Sequence, residues 1–146
     1  YSKKKDDVLF SKIYAPKDAP SWAQDRERLW NEVEKKENRK NSILSRSFIL
    51  SLPRDLEPKD WKNILENFIE KEFVSQGIVA DLNIHIDNPN NPHAHIQTTV
   101  RALGKDGWSS HKDRDFADFK AADRVYKLRG SFADFCNHIL LKKGLD

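Results

Sequence analysis

The spacing of apolar residues along this chain changes period several times, and each change marks an element. Val8 to Tyr14 (V-L-F-S-K-I-Y) is β-branched and aromatic, which predicts a short strand ending before Pro16. Ser21 follows a Pro16–Pro20 turn as a candidate N-cap, and Trp22, Leu29, Trp30 and Val33 then fall on one helical stripe. Ile43 to Leu52 reads as a strand closed by Pro53, with Ser45, Ser47 and Ser51 on one face and Phe48, Leu50 and Leu52 on the other. Glu57-Pro58 opens a second helix, whose stripe of Trp61, Ile64, Leu65, Phe68 and Ile69 stops at Gly77. Ile78 to Ile86 and Ala94 to Leu103 read as strands around D-N-P-N-N-P, and Gly104 to His111 as a loop. A charged helix over Phe116 to Tyr126, a break at Gly130-Ser131 and a last amphipathic helix from Phe132 to Leu140 complete the chain.

The order β-α-β-α-β-β-α-α predicts an α+β domain with an antiparallel sheet covered by helices. With 146 residues the chain fits one domain, 1–146, with a proper hydrophobic core. No apolar run is long enough for a membrane span, and the charged start from Tyr1 to Asp7 excludes a signal peptide. A lone cysteine, Cys136, excludes an internal disulfide framework and makes a reducing cytoplasm the default compartment. The absence of methionine, even at position 1, suggests part of a longer chain. Net charge is +3, from 26 basic and 23 acidic side chains, too even a balance to establish nucleic-acid binding by itself. Basic residues do cluster, at Lys3-Lys4-Lys5, at Lys35-Lys36 with Arg39-Lys40, and at Lys142-Lys143.

The chemistry concentrates in His85-Ile86-Asp87-Asn88-Pro89-Asn90-Asn91-Pro92-His93-Ala94-His95. A hairpin whose loop is Asn88 to Pro92 pairs position 87 with 93, 85 with 95, and 83 with 97. Side chains alternate faces along a strand, so His85, Asp87, His93, His95 and Gln97 share one face, and Ile84, Ile86, Ala94 and Ile96 the other. Cross-strand neighbours stand about 4.5–5.5 Å apart, close enough for three imidazoles to meet one ion at about 2.0–2.1 Å. Three neutral ligands leave coordination positions open, which favours a catalytic or substrate-binding ion over a structural one. The remaining histidines, His111 and His138, have no partner in this pattern and read as surface residues. Cys136 lies on an apolar stripe and reads as core.

The segment H-I-D-N-P-N-N-P-H-A-H-I resembles the third motif of the relaxases that start plasmid conjugation, in the HUH endonuclease superfamily, and most closely their MobA/MobL branch. The resemblance extends to Ala19-Pro20-Ser21-Trp22-Ala23, Leu29-Trp30-Asn31-Glu32-Val33-Glu34, Arg39-Lys40-Asn41-Ser42 followed by Phe48 to Pro53, and the closing Phe132 to Asp146. It implies a domain that binds single-stranded DNA and the hairpin of a transfer origin. In such enzymes a tyrosine hydroxyl attacks one phosphodiester and becomes joined to the 5′ end, which starts conjugative mobilisation. A divalent ion (Mn, Mg or Zn) at the positions of His85, His93 and His95 polarises the scissile phosphate, and Asp87 orients an imidazole from behind. Relaxosome accessory proteins are implied as further partners.

Two departures from the branch stand out. The nucleophilic tyrosine of such relaxases lies near the N-terminus, at a place that neither Tyr1 nor Tyr14 matches. The expectation is therefore a fragment whose catalytic tyrosine and first strand precede Tyr1. Relatives often carry an acidic residue on the strand over 43–52, near the metal, where Ser47 and Ile49 stand here. A module that binds single-stranded DNA without nicking it, and an HUH replication initiator, are the alternatives. For phosphate contacts the candidates are Arg46, Arg101 and Lys105, with Trp108 as a stacking platform for an unpaired base.

Overall fold

The computed structural model describes residues 8–38, 42–86, 90–112 and 121–144. Strand β1 (Val8–Tyr14) leads through a 3-10 turn (Ser21–Gln24) into helix α1 (Arg26–Lys36). Strand β2 (Arg46–Ser51) and helix α2 (Pro58–Glu72) follow, and then the hairpin of β3 (Ala80–His85) and β4 (His93–Thr98). A small ribbon of β5 (Arg101–Gly104) and β6 (Gly107–Lys112) and a long helix α3 (Ala121–Lys142) complete the described chain. The first four strands form one antiparallel sheet in the order β1-β3-β4-β2, and β5 with β6 forms a second sheet. The expected α+β class, an antiparallel sheet covered by helices, is the one observed.

Alternation along the central strands decides what each face of the sheet carries. Ala80, Leu82, Ile84, Ala94 and Ile96 point to one face, each at most 1% exposed, and pack with Trp61, Ile64, Leu65, Phe68 and Ile69 of α2 and Leu128, Phe132 and Cys136 of α3. On the other face a smaller cluster of Ile13, Ala23, Leu29, Val79 and Leu103 seats α1 and the β5–β6 ribbon over one end only. The β3–β4 hairpin end of that face carries polar side chains instead.

Several local expectations change. Asp25, not Ser21, caps α1: its carboxylate accepts from the Arg28 N–H at 3.2 Å, and Ser21–Gln24 forms a separate 3-10 turn. The strand over 43–52 is trimmed to Arg46–Ser51. The run from 94 to 103 begins one residue earlier, at His93, and divides at Thr98 into β4 and β5. There the Thr99 N–H donates to the Val79 carbonyl (3.0 Å) and the Thr99 hydroxyl accepts from the Val79 N–H (3.1 Å). The segment read as a loop, 104–111, contains β6, because Gly107 at φ 103 turns the chain back on β5. Gly130 does not break the last helix, which runs unbroken from Ala121 to Lys142. Packing of Leu128, Phe132 and Cys136 onto α2 outweighs the weak helix propensity of a single glycine. Residues 116–120 of the expected charged helix lie outside the described residues, as does Asp87.

Candidate functional site: the polar face of the β3–β4 hairpin

His85 pairs with His93, Asn83 with His95, and Asp81 with Gln97. This register differs by two residues from the expected one, which set His85 opposite His95. A shift of two preserves parity, so the face assignment survives: His85, His93, His95 and Gln97 remain together, joined by Asp81 and Asn83. Strand β2 adds its own row beside them, with Ser51 opposite His93, Ile49 opposite His95 and Ser47 opposite Gln97.

The three histidines form one patch. The His85 and His95 ring centroids are 4.4 Å apart and edge-on, and those of His93 and His95 are 6.0 Å apart and stacked. His85 lies at the bottom, 1% exposed. Both of its ring nitrogens, Nδ1 of His93 and Nε2 of His95 are shut off from solvent, and His93 Nδ1 has no hydrogen-bond partner among the described residues.

Next to the histidines lies an ion pair with a buried carboxylate that no motif in the sequence marks. Asp81, 3% exposed, accepts from Arg26 Nε at 3.0 and 2.8 Å and from Arg26 Nη2 at 2.6 Å. The Trp30 indole N–H donates to the same carboxylate at 3.1 Å, and Asn83 Nδ2 reaches it at 3.4 Å. Ser11 on β1 donates to the Asn83 carbonyl oxygen at 2.8 Å. The hydrogen bonds that Arg26 donates to Asp81 push its guanidinium still further up from its ordinary range. The signal for these residues was present: Asp81 and Asn83 share the parity of His85, and extending the face two pairs along β3 reaches both. Their partners on α1 have no local signature, because only the fold brings Arg26 to Asp81.

The other candidates do not join the histidines. Arg46 pairs with Thr98 at the far end of the hairpin, five residues or about 17 Å from His93. Arg101 is tied to Glu37 at 2.6 and 3.3 Å and donates to the carbonyls of Ser109 and Ser110, at 3.1 and 2.7 Å. Lys105 is exposed in the β5–β6 turn. Trp108 packs against Trp22, centroids 5.9 Å apart, beside the smaller core cluster. A hollow of about 520 Å³ at that end is lined by Lys36, Glu37, Arg101, His111 and Lys112 and is separate from the histidine patch. His138 is exposed on α3.

Tyr14 points to the apolar face, the opposite side of the sheet from the histidines. Burial, reinforced by the neighbouring Glu66 carboxylate, pushes its hydroxyl up to about 12. Cys136 is buried in the main core, as expected, and burial pushes its thiol up to about 11.

A sequence model of the MobA/MobL family matches residues 1–146. The chain belongs to the MobA/MobL family. Its relatives include a conjugal transfer protein TraA of Agrobacterium fabrum, 32% identical over 98% of this chain, which covers 15% of that protein. A probable mobilization protein MobA of Bifidobacterium longum is 32% identical over 76% of this chain and 20% of its own length. The chain thus spans about a seventh of the TraA relative's length. A solved structure described as "Molecular Basis of Vancomycin Resistance Transfer in Staphylococcus aureus" superposes with a TM-score of 0.82 at 32% identity, covering 95% of this chain and 73% of that one. The resemblance first carried by the histidine motif therefore extends over all 146 residues of this chain. No helix among the described residues is long and apolar enough to cross a membrane.

Proposed function

We propose that residues 1–146 form the metal-binding part of a relaxase domain that, together with an attacking tyrosine outside these residues, nicks single-stranded DNA at a plasmid transfer origin, with His85, His93 and His95 holding a divalent ion. The observation that carries this reading is the gathering of three imidazoles on one patch of the sheet, with both nitrogens of His85, Nδ1 of His93 and Nε2 of His95 shut off from water. Among the described residues no group of three His, Cys, Asp or Glu side chains is placed to hold a metal ion as the side chains stand. The donor chemistry nevertheless fits. Imidazole nitrogens suit a divalent ion of the zinc or manganese kind, and ring centroids 4.4 and 6.0 Å apart keep the three side chains close enough that small side-chain rotations would let them share one.

When bound, a manganese, magnesium or zinc ion supplies Lewis-acid polarisation of the scissile phosphate. The protein's part is to hold the donors. His85 is fixed at the bottom of the patch between β1 and β4, its ring edge-on to His95. Asp87, proposed from the sequence to orient an imidazole, lies outside the described residues. No carboxylate faces the patch from β2, where Ile49 stands opposite His95.

A tyrosine Oη forms the new bond to phosphorus, the bond to the 3′ oxygen breaks, and the proton lost by the tyrosine ends on that 3′ hydroxyl. Tyr14 does not serve as nucleophile, since its hydroxyl is on the wrong face and held protonated to about pH 12. The attacking tyrosine is assigned, as the resemblance implies, to a segment upstream of Tyr1. Origin DNA and relaxosome proteins are the proposed partners. Arg46, Lys105 and Trp108 remain candidate DNA contacts away from the metal, and Arg101 is one only if it leaves Glu37.

The test is a calorimetric titration of the chain with Mn²⁺ and Zn²⁺, repeated on His93→Ala/His95→Ala. Binding by the parent and its loss in a variant with unchanged circular dichroism is the expected result. In a longer protein that carries the upstream tyrosine, cleavage of a single-stranded origin oligonucleotide should disappear with the same change. Cleavage that survives it would show that the histidines are not the site.

A further inference from the structure

We propose that Arg26 is a phosphate-binding residue of the histidine site, with Asp81 and Trp30 serving to aim it. The inference rests on the DNA reading above and adds to it a residue of α1 that no motif marks. Arg26, Trp30, Asp81, Asn83, His85 and Gln97 line one hollow of about 310 Å³, so the guanidinium and the deepest histidine share a cavity. A second hollow of about 240 Å³, beside His95 and Ile49, borders the same Asp81, Asn83 and Gln97.

The ion pair is asymmetric in a way that matters for an anion. The Asp81 side chain is 4% exposed and the Arg26 side chain 46%, so the negative end points inward and the positive end toward the cavity. Asp81 is also heavily solvated by the protein. It accepts from Arg26 Nε and Nη2, from the Trp30 indole and from Asn83, which spreads its charge over three residues. Arg26 has five N–H donors. Nε and one Nη2 proton are spent on Asp81, and the three remaining donors have no partner among the described residues. A planar fork held by its inner edge, with its outer edge exposed next to a histidine cluster, is the arrangement that recognises a phosphodiester.

The experiment measures affinity for a fluorescein-labelled twelve-residue oligothymidylate by anisotropy over a range of salt concentrations. Arg26→Gln combined with Asp81→Asn removes the guanidinium without leaving a buried charge unpaired. The double variant should bind roughly tenfold more weakly, and the slope of log K against log salt should flatten by about 0.7, the loss of one phosphate contact on a single strand. Unchanged affinity and slope in a folded double variant overturn the proposal while leaving the DNA reading intact. A parent chain with no salt-dependent binding overturns both. If the variant does not fold, the parent still decides: the Arg26 side-chain ¹⁵N–¹H resonances should shift at saturating oligonucleotide while those of Arg129, on α3, stay in place. Resonances of Arg26 that do not move overturn the assignment.

Discussion

The two faces of the β3–β4 hairpin are built from the same twelve residues in alternation, yet they are held by different physics. On one, Ala80, Leu82, Ile84, Ala94 and Ile96 lose essentially all contact with water against α2 and α3. That attraction is large and has no direction. On the other, Asp81, Asn83 and the histidines sit among discrete donors and acceptors, and even the buried Asp81 is fixed by named bonds. The apolar face supplies stability and tolerates exchange of one aliphatic side chain for another of similar volume. The polar face supplies position, and each of its contacts belongs to a particular pair of atoms.

Adjacent residues of β3 separate the two contributions most sharply. Leu82 is fully buried, and Leu82→Ala should cost about 3 kcal/mol of unfolding free energy through lost transfer energy and the cavity left behind. Asn83→Ala removes the bonds to Ser11 and Asp81 and should cost only about 1 kcal/mol. Urea titrations of the two variants give both numbers, and equal losses would mean that the faces do not divide the work in this way.

A smaller effect tests whether the polar side has a structural anchor of its own. Glu37, at the end of α1, binds Arg101 at 2.6 Å and Lys112 at 3.3 Å, tying the helix to the β5–β6 ribbon. Burial raises its carboxyl, but the hydrogen bonds from Arg101 and Lys112 outweigh that and hold it below the ordinary 4.5. The folded state therefore keeps this group charged to lower pH than the unfolded chain does. The stability it contributes is complete above the ordinary value and drains away as pH falls through the lowered one. Glu37→Gln should cost about 1–2 kcal/mol at pH 7, and the gap from the parent should narrow at pH 3. A gap that does not change with pH would show that the carboxylate charge is not what ties the ribbon down.

How far the sequence reveals these features follows from the range over which each is determined. Alternation is local, so the histidine face was legible, and it survived a two-residue error in pairing because parity did. The register itself depends on how β3 and β4 meet β1 and β2, which no short segment encodes. Strand β6 escaped notice because G-W-S-S-H-K has no apolar alternation. Its place comes from the Gly107 turn and from Arg101, whose guanidinium reaches across to the Ser109 and Ser110 carbonyls. Arg26 and Asp81 lie 55 positions apart, and neither marks the other until α1 is laid on the sheet.

Gly130 carries the same lesson to the cover of the apolar face. Its flexibility suggested a break between two helices, but α3 passes straight through it, with Leu128 on one side and Phe132 on the other anchored in the main core. A β-carbon added at Gly130 would meet nothing within 4 Å, and the residue does not have a positive φ. Alanine there loses less backbone freedom on folding than glycine and makes no clash. Gly130→Ala should therefore stabilise the domain by about 0.5–1 kcal/mol, read as a rise in the thermal midpoint of a few degrees. Because α3 covers the face opposite the histidines, the same variant should titrate with Mn²⁺ like its parent. A loss of stability would mean that the helix needs the glycine as a joint, and that the apolar cover is positioned more specifically than its packing suggests.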